Sequence, residues 1–154
     1  ARANPVWQAL AAGAPSVAVF TGPQAYVSPN WYPSKHANGM AVPTWNYATV
    51  HAHGVPRAFE EAERILDVVT RLTQVHEAVQ VMPWQVADAP ADYIGKLLRV
   101  IVGIEIPVQR WVGKWKVSQN RPAADQQGVA AGLAGQAGEA AAQMAALMNQ
   151  RIQS

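Results

Sequence analysis

The sequence contains no cysteine in 154 residues, which excludes disulfides, thiolate nucleophiles, iron–sulfur clusters and Cys-type zinc sites. That absence fits a reducing, cytoplasmic compartment. Charge is also scarce: Asp, Glu, Lys and Arg make up 14% of the chain, against roughly 25% in an average soluble domain. Twelve basic and ten acidic residues leave a net charge of +2. This is too small to mark a nucleic-acid footprint, and no Lys/Arg run forms a phosphate-tracking stripe. Long apolar runs are missing too. The stretch Leu97–Ile104 is interrupted by Arg99 and falls far short of the roughly 20 residues that span a bilayer, so no membrane association is expected. No signal peptide and no initiator methionine precede Ala1-Arg2-Ala3-Asn4-Pro5, the start expected of a fragment or a processed chain.

What is present is apolar: half the residues are hydrophobic. The length suits one domain able to bury a core. So little charge implies that part of its surface is covered by a partner, a ligand or further chain. Asn4-Pro5 reads as a helix start, with Asn capping and Pro first in the helix. That short helix carries Trp7 and Leu10 and ends near Gly13. Ser16–Thr21 reads as a buried strand broken by Gly22-Pro23, with a second short strand at Ala25–Val27. Pro29, Pro33 and Pro43, with Gly39, are expected to hold the next segment out of regular structure.

Thr44–Gly54 alternates as a strand. Ala48, Val50 and Ala52 form a small apolar face, and Trp45, Tyr47, Thr49, His51 and His53 a polar aromatic one. The pattern changes to helix over about Ala58–Gln80, where Phe59, Ala62, Ile65, Leu66, Val69, Leu72 and His76 recur at helical spacing. Glu60, Glu61 and Glu63 read as acids of its first turns, favoured by the helix dipole, rather than a metal cluster. His76 reads as a core-edge histidine. A second helix is expected over Pro90–Val102, with Tyr93, Ile94, Leu97, Leu98 and Ile101 inward. Extended chain follows from Ile104, with Pro107 at an edge or bulge and an interruption at Gly113. The Ala-rich region 123–154 is expected to be helical, with Ala141, Met144, Ala145, Met148 and Ile152 on one packing stripe of Glu139–Ile152. Strands, then helices, then strands, with few βαβ alternations, give an α+β fold with a mostly antiparallel sheet or barrel.

Catalytic signatures are sparse. The chain has no HExxH, P-loop, GxGxxG or GxSxG motif. His51 and His53 share a strand face, yet zinc needs further ligands that only His36, His76 or a remote carboxylate could supply; they read as hydrogen-bonding surface groups. Two clusters carry more chemistry. Gly113–Arg121 places Lys114, Lys116, Trp115, Ser118, Gln119 and Asn120 within nine residues. Its cations and hydroxyl suit a phosphate, and its neutral amides suit a polar heterocycle; the alternative is an amphipathic edge strand with its lysines in water. Ser28–Lys35 with Pro43–Tyr47 gathers Trp31, Tyr32, Trp45 and Tyr47 around stiffening prolines. That composition suits either a binding loop or one folded back on its own domain.

These blocks, with Ala1–Trp7, Val19–Tyr32, Val42–Tyr47, Val50–Gly54, Val102–Ile106 and Gly113–Arg121, resemble the PaiB family of FMN-binding negative transcriptional regulators. They occur in that family's order from Ala1 to about Gly132. The resemblance implies a split β-barrel related to pyridoxamine-phosphate oxidases, working as a homodimer with FMN at the subunit interface. It also implies roughly fifty preceding residues that form the first barrel strands and complete the flavin site. Position by position, Arg2 matches a basic residue that faces the flavin phosphate in related barrels. Lys116, Ser118, Gln119 and Asn120 match the block that closes on the flavin or its substrate side. Ser28, Trp31, Tyr32, Lys35, Thr44, Trp45 and Asn46 match loop blocks without assigned roles. Val117 stands where family members often have Leu.

The resemblance therefore implies an FMN-binding regulator acting through its flavin or a partner protein. No helix-turn-helix is readable, and the charge gives direct DNA binding little support. A flavin-dependent oxidoreductase and a cofactor-free dimeric interaction module are the competing classes.

Overall fold

A computed structural model of the chain describes residues 1–153. In chain order the elements are α1 (Val6–Ala11), β1 (Ser16–Val27), α2 (Pro33–Asn38), β2 (Thr44–Gly54), β3 (Arg57–Phe59), α3 (Ala62–Glu77), α4 (Ala91–Leu98), β4 (Gly103–Glu105), β5 (Val108–Lys116), α5 (Ala123–Ala134) and α6 (Glu139–Gln153). Short 3-10 turns at Pro29–Trp31 and Val86–Asp88 complete the list. The fold is α+β. Two compact units divide it: Ala1–Val17 with His53–Arg110, and Ala18–Ala52 with the chain from Trp111 onward.

In the first unit β3 and β4 pair antiparallel, Arg57 with Glu105 and Phe59 with Gly103. The helical spacing expected from Ala58 therefore begins four residues too early. Pairing with β4 overrides the local pattern there, as tertiary contacts routinely override propensity. Glu60 accordingly sits ahead of the helix, where it holds Arg2, while Glu63 occupies the first turn of α3 as expected. Ile65 is buried and Leu66 and Val69 half-buried, but Leu72 and His76 are exposed. His76 is thus a surface residue rather than a core-edge one. The apolar stripe of α3 continues past the end of what it packs against.

Helix α4 stops at Leu98, four residues short of the expected end. Its terminal carbonyls are taken by Arg2, whose backbone N–H donates to the Val100 oxygen at 2.8 Å and whose Nε donates to the Arg99 oxygen at 3.0 Å. Those bonds satisfy acceptors that a continuing helix would use. Of its expected inner residues, Ile94 and Leu98 are half-buried, whereas Tyr93 and Leu97 are exposed.

The remaining strands form one sheet in the order β1-β2-β5. Antiparallel pairing of β1 with β2 is marked by Thr49 Oγ1 donating to the Phe20 oxygen and Trp45 Nε1 donating to Gln24 Oε1. Strand β1 runs unbroken through Gly22-Pro23. The break expected there is absent because β1 is an edge strand, so the N–H that Pro23 lacks is not needed by a neighbour. Strand β5, the opposite edge, likewise continues through Gly113. On β2 the alternation holds: Asn46, Ala48 and Ala52 are buried and Trp45 is exposed.

In the second unit the prolines start helices rather than prevent them. Pro29 and Pro33 each occupy the first position of a helical turn, where the missing N–H costs nothing. Gly39, at φ 69°, closes α2 in the left-handed conformation. The core joins Val27, Tyr32, Val117, Val129, Leu133, Met144 and Met148, so the methionines of α6 pack, as their spacing implied. Helix α5 approaches the Pro29–Trp31 turn through a notch. A Cβ at Gly128 would strike the Trp31 carbonyl oxygen, and one at Gly132 the Trp31 indole.

Candidate functional site

The second unit contains a cavity of about 130 Å³. Three segments supply its wall: Tyr32 from the chain entering α2, Thr44 and Asn46 from the start of β2, and Lys116 to Arg121 from the end of β5 and the turn after it. Two of the clusters singled out in the sequence, 72 residues apart at Thr44 and Lys116, therefore meet in one place.

The turn after β5 is built around Ser118. Its φ of 61° makes it the one non-glycine residue with positive φ among those described, a conformation that costs roughly 1–2 kcal/mol for a residue with a Cβ. Buried contacts hold it there. Asn46, fully inaccessible, donates from Nδ2 to Ser118 Oγ at 3.1 Å, and Ser118 Oγ lies 3.3 Å from Asn46 Oδ1. Asn46 Nδ2 also contacts Met148 Sδ at 3.4 Å. Gln119 clamps the turn from outside, accepting from Val117 N at 2.8 Å and donating to the Trp115 oxygen at 2.7 Å. Arg121 N donates back to the Ser118 oxygen. The turn thus places Asn120 and Arg121 on the cavity wall.

Lys116 Nζ donates to Thr44 Oγ1 and, at 2.8 Å, to the Trp45 oxygen. An ammonium has three N–H donors, so one remains beyond these two. Arg121 stacks its guanidinium on the Tyr32 ring, 4.8 Å from the centroid. Tyr32 is itself fully buried, and its hydroxyl has no hydrogen-bond partner among the described residues.

Other residues expected at a site have different work. Ser28 Oγ caps the following turn by accepting from Asn30 N. Trp31 fills the α5 notch, and Lys35 Nζ donates to Asn30 Oδ1. Trp45, half-exposed, packs edge-on against Tyr26. Arg2 lies in the first unit, where it pairs with Glu60 and the Arg99 carbonyl. Strand β5 ends at Lys116, so Ser118 belongs to the turn that follows rather than to the strand.

Two residues were not singled out in the sequence. Arg121 closes the Gly113–Arg121 block, but only the fold stacks it on Tyr32. Asp125, 1% exposed in the first turn of α5, accepts from Ser34 Oγ at 2.6 Å and Ser34 N at 3.0 Å. The Ser34 bonds, with the positive charge of Arg121, hold its carboxyl below the usual value of 3.8 despite burial. An Asp three residues after a proline that ends an extended run is a helix-start signal, and it could have marked α5. Among the described residues no three His, Asp or Glu gather as a metal site, and no helix is long and apolar enough to cross a membrane.

Residues 1–110 match the family described as "Putative FMN-binding domain". The Bacillus subtilis protein named protease synthase and sporulation protein PAI 2 is 31% identical over 149 residues, covering 97% of this chain and 69% of that protein. Uncharacterized proteins of Emericella nidulans and Aspergillus fumigatus are 37% and 35% identical over 126 and 131 residues, each match covering 75% of this chain. The chain spans about half the length of these two fungal relatives. With a family match over more than two thirds of its residues and a Bacillus relative aligned almost end to end, the chain belongs to the PaiB family of FMN-binding proteins.

Proposed function

We propose that the chain is an FMN-binding negative transcriptional regulator of the PaiB type, a split-barrel homodimer acting through its flavin or a partner protein. The observation carrying the flavin site is the cavity at the mouth of β2, where two cations, an amide and an unpartnered phenol converge. Those groups fit the polar end of FMN. Lys116 and Arg121 supply charge, the Tyr32 hydroxyl supplies a donor that lacks an acceptor, and Asn120 supplies an amide. Their combined room is below the roughly 300 Å³ of pockets that enclose a drug-sized ligand, so they would hold part of the flavin.

The chemistry that a bound flavin supplies is reversible hydride or electron transfer. The work of this chain is positioning. Thr44 Oγ1 and the Trp45 carbonyl fix the Lys116 ammonium, Tyr32 supports the Arg121 guanidinium, and the Asn46–Ser118 pair fixes the turn that carries Asn120 and Arg121.

The homodimer reading is supported by exposed apolar side chains on the sheet of the second unit. Val19, Phe20, Trp111 and Trp115 are each about half exposed or more. Scattered large apolar residues are ordinary, but several on one small sheet suit association. The regulatory reading rests on the family and on the Bacillus relative, named for protease synthase and sporulation. A net charge of +2 favours action through the flavin or a partner over operator binding.

The test is the visible spectrum of the purified protein, followed by denaturation. Flavin absorption and release of FMN are expected; a colourless protein that cannot be reconstituted with FMN contradicts the reading. Flavin-dependent consumption of a nicotinamide cofactor, with no effect on transcription, would replace the regulator by an oxidoreductase.

A further inference from the structure

We infer that the cavity between α3 and α4 in the first unit is a binding site for an uncharged amphipathic small molecule, one with a hydrocarbon or aromatic body and an amide- or alcohol-like end. It shares no residue with the proposed flavin cavity, and the inference stands whether or not the chain binds FMN.

Room is the first observation. The cavity measures about 580 Å³ and has walls on three sides, from α3, from α4 and from the chain around Val86 that joins them. Pockets that enclose small ligands run from roughly 300 to 1,000 Å³. The joining chain is tied down rather than loose. Trp84 N donates to Glu77 Oε2 at 2.9 Å, at the end of α3, and Gln85 N donates to Asp88 Oδ2 at 2.8 Å. That wall is therefore formed before a ligand arrives, which lowers the entropy cost of binding.

Gly95 is the second. Among the described residues, three glycines lie inside helices. Gly128 and Gly132 make way for Trp31, but a Cβ at Gly95 would meet nothing within 4 Å. A glycine inside a helix weakens it relative to alanine, and no neighbour in the fold demands one at this position. The space it keeps open is part of the cavity.

Polarity identifies the ligand. None of the described residues lining the cavity is Asp, Glu, Lys, Arg or His. A carboxylate, ammonium or phosphate would enter without a counter-charge, which is costly away from water; the FMN phosphate is therefore a poor fit. Along α3 the wall changes character: Leu66 is apolar, Thr70 follows about one turn later, and Thr73 and Gln74 about a turn beyond. Leu66 to Gln74 spans about 12 Å at the helical rise. Ile94 and Leu98 add apolar surface from α4, and Gln85 adds an amide from the joining chain. Hydroxyl and amide groups both donate and accept, which suits a neutral polar end. Leu66, Ile94 and Leu98 suit an apolar body of medium length.

The test is displacement of Nile red from the intact chain by octanamide, octanoate and octylamine, molecules of one length whose ends are neutral, anionic and cationic at pH 7. Octanamide is expected to displace the dye at least about tenfold more tightly than either charged analogue. Gly95→Leu fills the cavity from a position with open space. It should weaken dye and amide together by more than about tenfold, with an unchanged or raised melting temperature. Thr73→Val keeps the shape of the wall and removes a hydroxyl. It should weaken octanamide about fivefold, and it tests the site even if Gly95→Leu does not fold. Equal displacement by all three molecules overturns the inference, as do folded variants that bind as wild type does, or a wild type that binds neither dye nor octanamide. Concentration-dependent self-association that Gly95→Leu abolishes, without octanamide binding, also overturns it and gives this face to a second copy of the chain.

Discussion

Asp125 grips Ser34 with both carboxylate oxygens, Oδ2 to the hydroxyl at 2.6 Å and Oδ1 to the backbone N–H at 3.0 Å. This pair joins the first turns of α2 and α5 across 91 residues of chain. It fixes the entry to α2, and Tyr32 lies two residues before Ser34. Hydrogen bonds to a buried charged group are among the stronger ones in a protein. Asp125→Ala should therefore lower unfolding stability by about 2–4 kcal/mol at neutral pH, measured by urea denaturation.

The same bonds dictate a pH dependence. The Asp125 carboxyl sits below its usual 3.8 because Ser34 stabilises the charged form, with Arg121 contributing. A depressed folded-state pKa gives stability that is present above the unfolded value and lost as pH falls through the folded one. Wild type should lose stability below about pH 4 more steeply than Asp125→Asn, which carries no such proton linkage. Denaturation curves for both proteins at pH 6 and pH 3 check this.

Glycines in two helices should respond in opposite directions to the same substitution. Gly95, inside α4, has nothing within 4 Å of where a Cβ would be, so Gly95→Ala should stabilise by up to about 1 kcal/mol through helix propensity. Gly128→Ala and Gly132→Ala gain the same propensity but drive a methyl into Trp31. The Trp31 carbonyl cannot swing away as a side chain can, so Gly128→Ala should destabilise by about 2 kcal/mol or more. Thermal unfolding of the three variants gives the comparison.

At Ser118, strain and hydrogen bonding separate. Ser118→Ala keeps the left-handed backbone and loses the bonds to Asn46; Ser118→Gly loses the same bonds but relieves the strain. Both should be less stable than wild type, because buried Asn46 is left under-bonded. The glycine variant should be the more stable of the two by about 1 kcal/mol. Equal stabilities would show that the turn is not strained.

Periodic signals in the sequence marked β2 and α6, because each has a face that packs over much of its length, and most of α3, whose stripe packs only around Ile65, Leu66 and Val69. Alternation on Asn46, Ala48 and Ala52 and the methionine spacing of α6 are direct records of burial. Elements defined by a partner were hidden. Strand β3 exists because Gly103–Glu105 pairs with it, and α4 ends early because Arg2 takes its carbonyls. Prolines 29 and 33 read as breakers, since sequence does not say whether a proline is first in a helix or inside one. The site shows the same division. Lys116 and Tyr32 were visible as residue types in suggestive company, whereas the stacking of Arg121 on Tyr32 and the orphaned hydroxyl are products of folding. Arg2 is matched by resemblance alone, Trp31 and Lys35 by resemblance and by their place in the Ser28–Lys35 cluster, and each has local partners of its own.

The central claim is that the Lys116-bearing cavity holds FMN, and an equilibrium fluorescence titration with FMN tests it most directly. Wild type should quench flavin emission saturably, and Lys116→Ala, verified as folded by its melting curve, should bind at least about tenfold more weakly, as expected for loss of a charge-assisted contact. Unchanged affinity in the folded Lys116→Ala protein would contradict the account.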